Sequence, residues 1–288
     1  MKTTRSRSVA TLWKNGVATH LSDPANVAKA YSVYASDNDV YVAGYEYSSE
    51  RKVATLWKNG TAISLGDASN LAETNSIFVS NGDVYAVGKE HLYERFGPNN
   101  WIATLWKNGT TTRIAEMTNE SEATSVFVYG NDVYVAGAEK GVATLWKNGK
   151  ATSIGELGNE ATANSVFVSG SDVYVAGHEK IPGTDVKVAA GSPIDKRQVA
   201  TLWKNGIAIR LDIPYKNLPA NPAFAGLSVI NTQANSVFIF GKDVYVVGRI
   251  EDLSVGLGRS IAVLWKNGKA TILGEQAYSA TAHSIFVK

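Results

Sequence analysis

Cysteine is absent from this 288-residue chain, which excludes disulfides, thiolate metal centres and cysteine nucleophiles. The redox compartment therefore stays open. Long apolar runs are also missing. No segment approaches the length of a membrane-spanning helix, and the opening stretch MKTTRSRSVATLWKNG is basic without the apolar core of a secretory signal. A soluble chain is expected, either cytoplasmic or exported with its signal missing from this sequence. Charge of one sign is scarce: 28 basic residues meet 26 acidic ones for a net +2, so the basic face of a nucleic-acid binder is not expected. Histidine occurs only as His20, His91, His178 and His283. These are scattered, without metal-ligand spacing or a Ser-His-Asp arrangement, so no metal, no cofactor and no catalytic residue is assigned.

What is present in quantity is repetition. The stretch VATLWKNG at Val9–Gly16 returns in close copies, as at Val53–Gly60, Val142–Gly149 and Val199–Gly206. Trp13, Trp57, Trp106, Trp146, Trp203 and Trp265 mark its register, with the shortest interval 40 residues, between Trp106 and Trp146. Each unit holds four runs of β-branched and aromatic residues, in one copy SVFV from Ser125, VYVAG from Val133, VATLW from Val142 and ATSI from Ala151. Polar turns such as YGND and SGSD join the first run to the second. Asn-Gly joins the third to the fourth, the pair that a type I′ hairpin turn selects because both central residues need positive φ. Four short antiparallel strands, named a to d, in a unit of about 40 residues form the pattern of a β-propeller blade.

The stretch NSVFVSGSDVYVAGHE, an apolar strand, a polar turn and a YVAG second strand, resembles the first half of an NHL repeat. The strand order is similar to that of NHL, kelch and WD-repeat propellers. The resemblance implies an all-β, six-bladed β-propeller of four-stranded antiparallel blades, forming a single domain over 1–288 with strand a innermost. Blade units are expected at 31–65, 75–114, 124–154, 164–211 and 235–272. A closing blade would combine 283–288 as strand a with 8–21 as strands c and d, lacking strand b. Such closure removes sheet edges.

The repeated aromatics read as structure. Six tryptophans could stack six sugars, but each blade adds an aromatic on strand a (Tyr34, Phe78, Phe127, Phe167, Phe238, Phe286) and most add one on strand b (Tyr41, Tyr85, Tyr134, Tyr174, Tyr245). Rings in that number suit packing between sheets. The Lys and Asn of the motif read as solvated turn residues. Asp39, Asp83, Asp132, Asp172 and Asp243 read as turn residues bonded to their own backbone rather than as cation ligands.

Function is sought where the copies disagree. The a–b and c–d turns are short and nearly constant, whereas the b–c and d–a loops vary, the longest running over His91–Trp101, His178–Gln198 and Leu211–Ala234. Two of these flank one hairpin and bring Lys180, Asp185, Lys187, Asp195, Arg197, Tyr215 and Phe224 to one sector. Trp101, in the place of Lys52 of the preceding copy, is expected to be an exposed tryptophan. The residue before the constant serine of strand a changes from blade to blade, as Tyr31, Asn75, Thr124, Asn164, Asn235 and His283, and would line a polar funnel mouth. Glu46, Glu90, Glu139 and Glu179, just beyond strand b, join that face. The expectation is a monomeric, non-enzymatic recognition module binding a protein or glycan through this face. The alternatives are a propeller hydrolase or lyase at the funnel mouth, using Glu90, Glu139 and His283, and a multivalent lectin with one site per blade.

Overall fold

The computed structural model describes residues 8–36, 38–48, 51–67, 70–92, 101–156, 158–182, 196–211, 230–252, 259–273 and 279–288. Among the described residues there is no helix. The chain divides into two compact units, one of residues 1–140 with 146–152, the other of 141–145 with 153–288.

The first unit opens with a hairpin of β1 (Thr11–Lys14) and β2 (Val17–His20). A four-stranded sheet follows, β3 (Ala28–Ser36), β4 (Asp39–Ser48), β5 (Arg51–Lys58) and β6 (Thr61–Ser64). The next is β7 (Leu71–Ser80), β8 (Asp83–His91), β9 (Trp101–Lys107) and β10 (Thr110–Arg113). Then come β11 (Ser121–Tyr129), β12 (Asp132–Glu139), β13 (Val142–Lys147) and β14 (Lys150–Ser153), of which Gly141–Leu145 is counted with the second unit. The second unit contains β15 (Ala161–Ser169), β16 (Asp172–Pro182), β17 (Lys196–Lys204) and β18 (Ile207–Arg210), then β19 (Ile230–Phe240), β20 (Asp243–Asp252), β21 (Arg259–Lys266) and β22 (Lys269–Leu273). Each sheet is an antiparallel meander in sequence order. Among the described residues, five four-stranded meanders and one two-stranded hairpin are the sheet complement of an all-β, six-bladed β-propeller.

The local rules account for the hairpins. Asn15, Asn59, Asn108, Asn148, Asn205 and Asn267 take φ of 49–52°, each followed by a glycine at 79–85°, the type I′ geometry in which Asn-Gly is least strained. Strand d is outermost: β2, β6, β14 and β18 are exposed at every residue. Strand a lies beside its neighbours' strand a, since Tyr34 meets Phe78 and Phe78 meets Phe127, both at 4.9 Å between ring centres.

The tryptophans are the wedges between blades. Trp57, Trp106, Trp146, Trp203 and Trp265 are 0–1% exposed. Trp106 packs on Tyr41, Ala43, Ala54 and Leu56 of the preceding sheet, and Trp146 on Tyr85, Val87 and Ala103 of its own predecessor. Trp265 does the same with Tyr174, Ala176, Ala200 and Leu202. Their indole N–H groups have no acceptor among the described residues, so apolar contact holds the rings. Buried rings cannot stack sugars, which removes the per-blade lectin site built on them.

Two expectations are corrected. Residues 284–287 take no strand assignment where strand a was expected, whereas β1–β2 is the expected pair of strands c and d without strand b. In every complete blade strand a forms its strand ladder with strand b alone, and no described strand b adjoins these residues. The terminal segment instead packs Phe286 on Phe238 at 5.1 Å. The exposed tryptophan is Trp13, at 69%; Trp101 is half-buried.

Candidate functional site

The residues that vary along strand a occupy a β-bulge in every complete blade. Register shifts fall at Ala30/Ser32, Thr74/Ser76, Ala123/Ser125, Ala163/Ser165 and Ala234/Ser236, so the skipped residues are Tyr31, Asn75, Thr124, Asn164 and Asn235. The opposing glycine of strand b permits it. A Cβ on Gly88 would sit 1.9 Å from the Glu73 carbonyl oxygen, and one on Gly137 1.9 Å from that of Glu122.

Three of the bulge asparagines stitch blades together. Asn75 Nδ2 donates to the Ala123 carbonyl at 2.9 Å, Asn164 to Ala234 at 2.8 Å and Asn235 to Ala282 at 2.8 Å. The constant serines help: the amides of Ile77, Val126 and Val237 donate to Oγ of Ser32, Ser76 and Ser165 at 3.2–3.3 Å. Thr124 donates to the Ala136 carbonyl at 3.0 Å. Among the bulge residues Tyr31 is different, being 49% exposed.

Around Tyr31 and Asn75 the first unit assembles a charged and aromatic patch. Glu73 accepts from Lys52 at 2.8 Å and pairs with Lys89 at 3.3 Å; Lys89 also reaches Glu122 at 3.1 Å, and Asn75 donates to Glu122 at 2.9 Å. Rings flank this chain of charges. Lys52 lies 4.5 Å from the centre of Tyr45, Lys89 lies 5.1 Å from that of Trp101, and Tyr31 and Tyr45 are 5.9 Å apart. Burial disfavours the Glu73 carboxylate, but Lys52 and Lys89 outweigh it and hold its pKa below the ordinary value. Burial likewise opposes the Lys89 charge, and Glu122 and Glu73 reverse that to raise its pKa. Burial, then Glu73 and Tyr45, push the Tyr31 hydroxyl far above its ordinary range.

The glutamates beyond strand b prove to be ties for the d–a loops. Asn26 donates to Glu46 at 2.9 Å, Asn70 to Glu90 at 3.1 Å and Asn119 to Glu139 at 2.6 Å, each asparagine 20 residues upstream. Glu90 is also paired with Arg113 at 2.9 Å and is 1% exposed. Glu179 accepts from the Glu156 amide at 3.2 Å. An Asn at constant distance before each such Glu was the sequence signal for this tie. Arg113, Glu116, Asn119, Glu139 and Lys140 border an open cleft of about 430 Å³.

The strand-b aspartates are corrected too. Asp39 binds Lys58 and Asn59, each at 2.8 Å, and Asn59 Oδ1 accepts from the Val40 amide at 2.9 Å. Lys58, then Asn59, lower the Asp39 pKa to about 2. The Lys and Asn of the repeated motif thus clasp strand b, rather than standing free in solvent.

These observations identify no relative by sequence: no protein-family model matches the chain, and no curated protein matches it. Among solved structures, an exo-1,5-α-L-arabinanase from a bovine ruminal metagenomic library aligns with TM-score 0.42 at 10% identity, over 87% of this chain and 98% of its own. YjhT aligns with TM-score 0.41 at 11% identity, over 86% of this chain and 83% of its own.

Tyr215 and Phe224 lie outside the described residues, as do Asp185, Lys187 and Asp195 of the same loops. His283 is exposed in the second unit. Trp101 keeps its place in the patch, its ring edge-on to His91 at 5.2 Å.

His178 supplies a pH prediction for the second unit. It is partly buried on β16, its Nδ1 has no partner among the described residues, and burial, then Lys180 and Arg249, depress its pKa to about 4. Its unfolded value is near 6.5, so the unfolded chain binds the proton more readily. The stability from neutral His178 is complete above pH 6.5 and is lost as pH falls toward 4. The whole shift corresponds to about 3 kcal/mol. Urea midpoints measured from pH 7.5 to 4 should fall less steeply in His178→Gln; equal slopes in the two proteins would refute this.

Proposed function

We propose that the protein recognises a carbohydrate with the first unit's patch of Tyr31, Glu73, Asn75, Lys89, Trp101 and Glu122, backed by the buried Tyr45. The observation behind this reading is the ring-flanked run Lys52–Glu73–Lys89–Glu122–Asn75. Sugar rings present C–H faces that lie on aromatic surfaces, and hydroxyls that both donate and accept. Carboxylates fixed by lysines accept from hydroxyls, while the amide and ammonium groups donate, with little reorganisation on binding.

Titration calorimetry with a panel of oligosaccharides tests the reading. One site per chain is expected, and the double variant Tyr31→Ala with Glu122→Gln should weaken the best ligand at least about tenfold, the loss of roughly 1.4 kcal/mol. Far-UV circular dichroism should not change. Unaltered affinity, or a stoichiometry near one per blade, contradicts it.

A hydrolase reading has one observation in its favour: Glu73 and Glu122 converge on a single ammonium, which brings two carboxylates together as glycosidases require. This pair replaces Glu90 and Glu139, each of which is committed to a loop tie. The depressed pKa of Glu73 suits a nucleophile and not a general acid. Reducing-sugar release that disappears in both Glu73→Gln and Glu122→Gln would establish hydrolysis; the same substitutions weakening binding without any turnover would leave recognition.

A further inference from the structure

In every complete blade the Asn-Gly turn between strands c and d is held against strand b. The lysine before it reaches the strand-b aspartate at 2.7–2.8 Å, in the pairs Lys58–Asp39, Lys107–Asp83, Lys147–Asp132, Lys204–Asp172 and Lys266–Asp243. The asparagine Nδ2 donates to the other oxygen of that carboxylate at 2.7–2.8 Å. Its Oδ1 accepts the amide of the valine after that aspartate at 2.8–2.9 Å. The same valine's carbonyl accepts the asparagine's own amide at 2.8–2.9 Å, so the side-chain amide is fixed at both ends and the main chain beside it is fixed too.

The a–b turn joining β7 to β8 carries the same dipeptide without the clasp. Asn81 and Gly82 have φ of 52° and 81°, where Asn59 and Gly60 have 52° and 85°. The ladder pairs Ser80 with Asp83 and leaves Asn81 and Gly82 outside it. Both are exposed, and a Cβ on Gly82 would meet nothing within 4 Å. Asp83 is engaged by Lys107 and Asn108. The Asn81 side chain makes no hydrogen bond among the described residues.

We infer that Asn81 is a modification site, converting spontaneously to aspartate and isoaspartate in the folded protein, and that the clasp shields the same Asn-Gly pair in the c–d turns. The Gly82 amide nitrogen attacks Cγ of Asn81, unhindered because glycine places no Cβ beside it. As that bond forms, the Cγ–Nδ2 bond breaks and the nitrogen leaves as ammonia, taking up the proton that the Gly82 amide gives up. The cyclic imide then adds one water at either carbonyl, so water enters, ammonia departs and nothing is oxidised or reduced. At Asn59, Asn108 and Asn148 the same closure has to pull Nδ2 off a carboxylate and Oδ1 off a valine amide. Loss of the charge-assisted bond alone slows closure about tenfold. Isoaspartate adds a main-chain methylene to a two-residue turn whose geometry has no room for one. Either product sets a new carboxylate two residues from Asp83, where it competes for Lys107.

The test incubates the folded full chain at mildly alkaline pH and follows each Asn-Gly peptide by mass spectrometry, with isoaspartate counted by its enzymatic methylation. Asn81 should convert at least about tenfold faster than Asn59, Asn108 and Asn148. In urea, where the clasps are gone, the four sites should convert at nearly one rate. Asp132→Ala, shown to be folded by far-UV circular dichroism, frees Nδ2 of Asn148 and should speed that site while leaving Asn81 as it was. The proposal is overturned if Asn81 converts no faster than the clasped sites in the folded wild-type chain, if the same ranking persists in urea, or if Asn148 is no faster in folded Asp132→Ala. The wild-type comparison decides between these outcomes even where the variant does not fold.

Discussion

Alanine at Gly137 should lower the stability of the fold by more than about 3 kcal/mol, a loss of the size reserved for steric conflict in a core. A Cβ there would lie 1.9 Å from the Glu122 carbonyl oxygen, 2.9 Å from its carbon and 3.0 Å from the Ala123 Cα. All three are backbone atoms, so no side chain can turn aside. Relief requires β11 and β12 to separate at the bulge, which also shifts Thr124 and the two groups held by Glu122, Asn75 and Lys89. Gly137 is absent from the positive-φ residues, so the requirement is for space and not for backbone freedom. Gly149 is the opposite case: its φ is 80° with nothing within 4 Å of a Cβ, and alanine there should cost only about 1–2 kcal/mol, the left-handed penalty. Urea unfolding followed by far-UV circular dichroism compares the two; a Gly137→Ala loss equal to or smaller than that of Gly149→Ala would refute the steric account.

That contrast marks what could be read before any coordinates. The Asn-Gly turns and the a-b-c-d order were legible because they rest on rules local to a few residues, the φ demanded by a two-residue turn and the alternation of apolar side chains. The glycine ending YVAG looked like the close of a strand. Its role depends on a carbonyl from another strand and so leaves no local trace. The Lys-Asn clasp was missed for a related reason: Lys58 and Asp39 are 19 positions apart, and each alone is an ordinary turn residue. Their joint recurrence in five blades was visible, but only pairing across strands gives it a meaning. Of the candidate site, Tyr31, Asn75 and Trp101 were picked out by their variation against a constant background. Glu73, Lys89 and Glu122 were not, since charged residues on a strand ordinarily mark a solvated face. Here the bulge places them beside the same residues that vary.

Trp106→Ala should cost about 3–5 kcal/mol, as large-to-small changes in closed cores do, while the chemically identical change Trp13→Ala should stay within about 0.5 kcal/mol. The two tryptophans occupy the same place in the repeat. Trp106 is 1% exposed and packed on Tyr41, Ala43, Ala54 and Leu56. The removal of its ring leaves a cavity between two sheets that close packing cannot readily fill. Trp13 at 69% exposure has little buried surface to lose. Urea midpoints of both variants measure the difference, and near-equal losses would mean that Trp13 is covered in solution.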